Sequence, residues 1–74
     1  MEHIEQLTRI ETRAKQAGVS LGRLALEVGV YPHQLWRWRK GLTIPKVTTF
    51  ADAMQRLNER LDEMEAARPR APAD

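Results

Sequence analysis

The segment from Ser20 to Gly41 constrains the fold most, because its pattern predicts two short helices joined by one tight turn. The first of these helices carries apolar residues at steps of three and four: Leu21, Leu24, Ala25 and Val28. Ser20 is a favourable N-cap, Gly29 suits a left-handed helix stop, and Pro32 suits a first helical position. Helices joined so tightly cross steeply, which is the geometry of a helix-turn-helix that reads DNA.

The second helix, predicted over residues 32–40, has two different faces. Leu35 and Trp38 point back toward the first helix, while the opposite face is polar and basic: His33, Trp36, Arg37 and Lys40. Polar groups near the front of such a helix can reach base edges, and arginine pairs with guanine O6 and N7. We therefore expect the base-reading residues to be His33, Gln34, Trp36 and Arg37. The plainer interpretation, a solvated surface helix, stays open.

The tryptophans differ in expected role. Trp38 is expected in the core, whereas Trp36 either packs on a thymine methyl or sugar edge, or folds back over the loop that contains Leu42. Further contacts to the DNA backbone are expected from polar residues around the motif: Ser20, Arg23, Tyr31, Arg39, Lys40, Thr43, Lys46 and Thr48. Arg23 is equally well explained as a free surface arginine, and Thr48 as a local cap.

The flanking segments predict two longer amphipathic helices, so the fold class is all-α. Residues 2–17 form the first, through Ile4, Leu7, Ile10, Ala14 and Ala17. The last begins near Lys46 and carries a two-in-seven stripe that starts at Val47 and provides the expected dimer interface: Phe50, Met54, Leu57, Leu61 and Met64. In the competing interpretation, the first and last helices cover each other within one chain. We expect one domain over residues 1–67 and a disordered tail over 68–74.

Composition excludes several function classes. A chain of 74 residues forms one small domain near the lower size limit for a self-sustaining core, which favours a dimer. The absence of cysteine excludes disulfides, thiolate nucleophiles and cysteine-based zinc sites. His3 and His33 lack a third ligand partner, and no nucleophile–base pair or phosphate loop is present, so we expect no metal, no cofactor and no enzyme. With no membrane span or signal peptide, we expect a cytoplasmic protein.

The charge is distributed unevenly along the chain. Residues 1–40 contain seven Lys and Arg against four Asp and Glu, whereas residues 41–74 contain five against six. Arg37, Arg39 and Lys40 cluster at the end of the second motif helix with no acid nearby. A basic edge on one element suits a sequence-selective DNA reader better than a protein that coats DNA through charge.

The region from Ala14 to Leu57 resembles the Cro/repressor-like (Xre-type) helix-turn-helix family. The resemblance rests on framework residues in register: Val19, Ser20, Leu24, Ala25, Gly29, Val30, Leu35, Trp38, Gly41 and Pro45. It implies a lambda-repressor-like bundle of four to five helices, here with a long C-terminal helix. It also implies that the basic side chain of Lys46 faces the DNA backbone or the adjacent minor groove.

Two functions of different classes follow. The first is a sequence-specific transcriptional regulator, a repressor that binds an inverted-repeat operator in double-stranded DNA as a homodimer, by analogy with compact phage or plasmid regulators. The second is a protein-interaction module or antitoxin whose C-terminal heptad helix recruits a partner protein. A salt series of DNA-binding measurements separates them, because each neutralised phosphate contributes about −0.9 to the slope of log affinity against log salt.

Overall fold

The computed structural model describes residues 2–67, which form four helices and, within that range, no strand. The helices are α1 (Glu2–Gln16), α2 (Leu21–Glu27), α3 (Pro32–Arg39) and α4 (Val47–Ala67). The predicted all-α fold, a small helical bundle, is confirmed with four helices, and the predicted ends lie within about a residue of the observed ones. The tail predicted over 68–74 lies outside the described residues. None of the helices in residues 2–67 is long and apolar enough to cross a bilayer.

One core joins all four helices. It consists of buried apolar side chains from every element: Leu7, Ile10, Ala14, Leu24, Ala25, Leu35, Trp38, Ala53, Met54, Leu57 and Leu61. Among the described residues no polar or charged residue is buried as a whole. The periodic apolar positions seen in the sequence therefore converge on a single interior, because each helix has only one apolar stripe to bury.

An arginine on α1 ties that helix to the C-terminal half of α4. Arg13 donates from Nε to Glu65 Oε1 at 3.0 Å and from one terminal nitrogen to Asn58 Oδ1 at 2.9 Å. Its other terminal nitrogen pairs with the carboxylate of Asp62. The hydrogen bonds to Glu65 and Asp62 raise the pKa of Arg13 above its already high ordinary value. The network holds α4 against α1 well beyond the helix-turn-helix.

Candidate nucleic-acid interface

Local chemistry fixes where α2 and α3 begin. The hydroxyl oxygen of Ser20 accepts a hydrogen bond from the backbone N–H of Arg23 at 3.2 Å, which satisfies one of the free donors at the start of α2. Pro32 is the first residue of α3, where its missing N–H has no cost. Both predicted start signals are therefore confirmed.

The turn between α2 and α3 occupies residues 28–31 and depends on one glycine. Gly29 has φ of +77°, a left-handed conformation that a side chain with a Cβ adopts only at a cost. The backbone N–H of Val30 then donates to the carbonyl oxygen of Ala25 at 2.8 Å, which closes the end of α2. From α4, Arg56 reaches the carbonyl oxygen of Val28 at 3.4 Å, so the long helix also supports the turn.

Two buried side chains set the rotation of α3. Leu35 and Trp38 are enclosed in the core, with Trp38 only 1% exposed and its ring edge-on to Phe50 at a centroid distance of 5.7 Å. In a helix, residues on the opposite side of these anchors must face outward. The predicted enclosure of Trp38 is confirmed.

The outward face of α3 carries three of the four predicted base readers and one predicted backbone contact, Lys40. We use the name reading face for four exposed residues: His33, Trp36, Arg37 and Lys40. The rings of His33 and Trp36 stack at a centroid distance of 5.6 Å and an angle of 16°, and Trp36 remains 49% exposed. Trp36 therefore packs on its helical neighbour rather than in the core. Gln34 lies half-buried beside the reading face.

The chain segment that contains α3 carries charge of one sign. Residues 28–51 contain four Lys and Arg and no Asp or Glu. Glu11 of α1 lies in a groove beside Trp36, where it pairs with Arg39. Within residues 2–67, the ion pairs involve four arginines: Arg13, Arg39, Arg56 and Arg60. Neither Arg37 nor Lys40 takes part in one, so in the described part of the chain both cations on the reading face are available to an outside anion.

The predicted backbone contacts divide into three groups. Six lie at exposed positions: Ser20, Arg23, Tyr31, Lys40, Lys46 and Thr48. Arg39 instead pairs with Glu11 of α1, in a groove that Trp36 also lines. The predicted phosphate contact of Thr43 is corrected. Its hydroxyl oxygen is buried without a hydrogen-bond partner among the described residues and is not presented to a phosphate.

The predicted dimer interface on the last helix is also corrected, at Met54, Leu57 and Leu61. Leu57 and Leu61 are 0% exposed, and Met54 is buried beside them in the core shared with α1. A side chain already covered within its own chain offers nothing to a second copy. Phe50 and Met64 are half-buried and pack on the edge of the same core. The competing interpretation, in which the first and last helices cover each other, describes the observed packing.

Two features were not foreseen from the sequence. Val47, the first residue of the predicted stripe, is 85% exposed, and Ile44 in the preceding loop is 73% exposed. The network around Arg13 was also missed, because its partners lie about fifty residues away along the chain and leave no local sequence signal. No cluster of three or more His, Asp or Glu side chains that could hold a metal ion occurs in residues 2–67.

Comparisons with known proteins add no assignment to this geometry. No protein-family model matches the chain, and searches of curated proteins and of solved structures gave no significant match. The functional interpretation therefore depends on the residues and their arrangement.

Proposed function

We propose that this protein is a sequence-specific DNA-binding regulator, a repressor of the Cro/repressor-like kind that acts as a homodimer on an inverted repeat. The observation that carries the proposal is the reading face on α3. An exposed face of four residues combines an aromatic stack with two unpaired cations, in a segment, residues 28–51, that contains no Asp or Glu. An outward helix that carries cations free to meet an anion is what a major-groove reader requires.

The roles within the reading face follow from chemistry. Arg37 has the planar donor fork that matches guanine O6 and N7, a contact that discriminates against a wrong base by about 1–3 kcal/mol. His33, one turn earlier, can donate to or accept from a base edge, and Trp36 supplies an apolar surface for a thymine methyl. Lys40 lies at the far end of the helix, where a point charge suits a phosphate.

The residues that flank α3 supply orientation. Arg23 near the start of α2 and Lys46 just before α4 are exposed and take part in no ion pair within residues 2–67. Phosphate contacts of this kind fix the register of a protein on the duplex without reading its sequence. Arg39 belongs to the fold rather than to this set, since its partner Glu11 neutralises it.

The alternative function, a module that recruits a protein through its C-terminal heptad helix, has less support. It requires an open apolar stripe on α4, and Met54, Leu57 and Leu61 of that stripe lie in the core. An antitoxin that clamps its toxin with the last helix needs the same surface. DNA binding requires only groups that are exposed.

The test is selection of a duplex from a random library, followed by anisotropy measurements of the selected duplex over a salt series. We expect a single preferred sequence and an affinity that falls steeply with salt, with a slope of about −0.9 for each phosphate contacted. Arg37→Ala should flatten the preference to near the nonspecific level and leave the helical content unchanged.

The matched control is Lys15→Ala, which removes the same charge from an exposed site on α1. Lys15 lines a groove with Arg60 and Met64 of the C-terminal half of α4. Lys15→Ala should change the affinity for the selected duplex by far less than Arg37→Ala does. Failure to select any sequence, or an equal loss from both variants, contradicts the proposed function.

A further inference from the structure

The end of α3 carries an arginine that is not part of the reading face. An ion pair joins Nη1 of Arg39 to the carboxylate oxygen Oε2 of Glu11 on α1. The side chain of Arg39 is 43% exposed and that of Glu11 is 20% exposed. The Glu11–Arg39 pair therefore lies at the surface of the fold, with part of the guanidinium side chain still open to solvent.

This pair lies directly beside the reading face. Glu11 and Arg39 line one groove together with Trp36, which belongs to that face. Arg39 follows Trp36 by three residues, so the two are neighbours on the surface of α3. Arg39 also precedes Lys40, the residue assigned to a phosphate at the far end of the helix. The guanidinium of Arg39 thus stands at the border of the surface proposed to meet DNA.

An acid and a DNA phosphate compete for an arginine in this position. Carboxylate and phosphate both match the planar donor fork of arginine, so one can replace the other. The acid comes from α1, because residues 28–51 contain no Asp or Glu. The fold presents Glu11 to Arg39 within the same chain, which gives it a high effective concentration, whereas a phosphate must arrive from outside. Arg39 therefore has a partner before any duplex binds.

We propose that Glu11 withholds Arg39 from DNA, so that the fold keeps one phosphate contact out of the complex. This inference rests on the proposed function, since it concerns the border of the same surface. Phosphate contacts strengthen binding to every sequence and carry no sequence information. With Arg39 held by Glu11, a larger share of the affinity comes from base contacts such as that of Arg37. Glu11 thus limits the sequence-independent part of the affinity without touching a base.

The test is Glu11→Gln, which keeps the size of the side chain and removes its charge. Anisotropy over a salt series, with the selected duplex and with a scrambled duplex of the same length, measures the affinity and its salt dependence. We expect the slope of log affinity against log salt to steepen by about 0.9 on both duplexes, the increment for one further phosphate. Over the decade from about 1 M to about 0.1 M salt, this increment corresponds to about eightfold tighter binding.

Two further variants separate the release of Arg39 from the change in net charge. Glu11→Gln combined with Arg39→Gln has the net charge of the wild type and should restore the wild-type slope. Glu27→Gln makes the same charge change in another interhelical pair, since Glu27 of α2 pairs with Arg60 of α4 at 3.7 Å. Arg60 keeps a second acid, Glu63, at 3.8 Å, so Glu27→Gln removes a negative charge without freeing a cation. It should not steepen the slope.

A purely structural role of the Glu11–Arg39 pair predicts the opposite sign. If the pair served only to hold α3 against α1, its loss would loosen α3 and weaken binding to the selected duplex, with no steeper slope. Circular dichroism of Glu11→Gln should show the helical content of the wild type. Tighter binding with unchanged helical content is therefore a result that loss of a merely structural contact does not produce.

The outcomes separate this inference from the proposed function. A slope for Glu11→Gln equal to that of the wild type or of Glu27→Gln overturns the withheld contact, even when the wild type selects its sequence. Weaker binding by Glu11→Gln, or a steeper slope that Arg39→Gln does not reverse, overturns it as well. A steeper slope that depends on Arg39, in a chain that selects no sequence, supports the withheld contact and refutes the sequence-specific function. Absence of DNA binding by every variant refutes both.

Discussion

Helices α3 and α4 both have an apolar side and a polar side, but they use these sides differently. In α3, two buried anchors leave a whole face of the helix in solvent, where it carries cations without partners. In α4, the apolar stripe is almost wholly internal, and the arginines on its polar side are paired with acids. The short helix α3 therefore exposes side chains that are free to bind a partner, whereas most of the long helix α4 serves to hold the fold together.

The difference follows from which helix has a neighbour along its length. Helix α1 runs beside the C-terminal half of α4, as Arg13 and its partners Asp62 and Glu65 make clear. The first turn of α4 is the exception, because Val47 is left open there. A heptad pattern thus indicates an apolar stripe but does not indicate whether the same chain or another chain covers it.

The largest effect is expected from shortening one side chain in the middle of the α4 stripe and comparing it with one in the first turn of that helix. Leu57→Ala leaves a cavity at a fully buried position and should lower the free energy of unfolding by about 2–5 kcal/mol. Val47→Ala, in the exposed first turn of the same helix, should change it by about 0.5 kcal/mol or less. Urea denaturation followed by circular dichroism measures both, and similar losses would mean that α4 does not pack as described.

A second prediction concerns the turn that directs α3 outward. Gly29→Ala forces a Cβ into left-handed backbone and should lower the free energy of unfolding by about 1–2 kcal/mol. The matched substitution Gly22→Ala lies within α2, where an added Cβ meets only Pro32 Cβ at 4.0 Å. It should stabilise the chain by about 0.5–1 kcal/mol. The same denaturation experiment reports the opposite signs, and two changes of the same sign would argue against the turn.

The smallest expected effect tests the polar side of α4. Arg13→Ala removes hydrogen bonds to Asn58, Asp62 and Glu65. Because the site is partly exposed and screened by water, the loss should be about 1 kcal/mol and should shrink in high salt. Arg9→Ala, on the same helix without an ion pair within residues 2–67, should be close to neutral. A salt-independent loss would assign the effect of Arg13→Ala to packing of its aliphatic stem instead.

Most of the fold was predictable because its signals are local. Each helix has an apolar period, and the starts of α2 and α3 are marked by Ser20 and Pro32, residues whose chemistry acts within one turn. The orientation of the reading face was predictable for the same reason, since Leu35 and Trp38 fix the rotation of α3. The pairing of Arg39 with Glu11, the burial of the Thr43 hydroxyl and the exposure of Ile44 were not predictable from local spacing.

The amino-acid pattern alone encodes four amphipathic helices, the left-handed turn at Gly29 and a basic, acid-free segment around α3. Which apolar surface remains open depends on how the helices pack. Burial of Leu57 and Leu61 depends on α1, almost fifty residues away, and no period in α4 can encode the position of that helix. The physical reason is that hydrophobic attraction has no direction, so an apolar stripe is covered by whichever surface the fold brings to it.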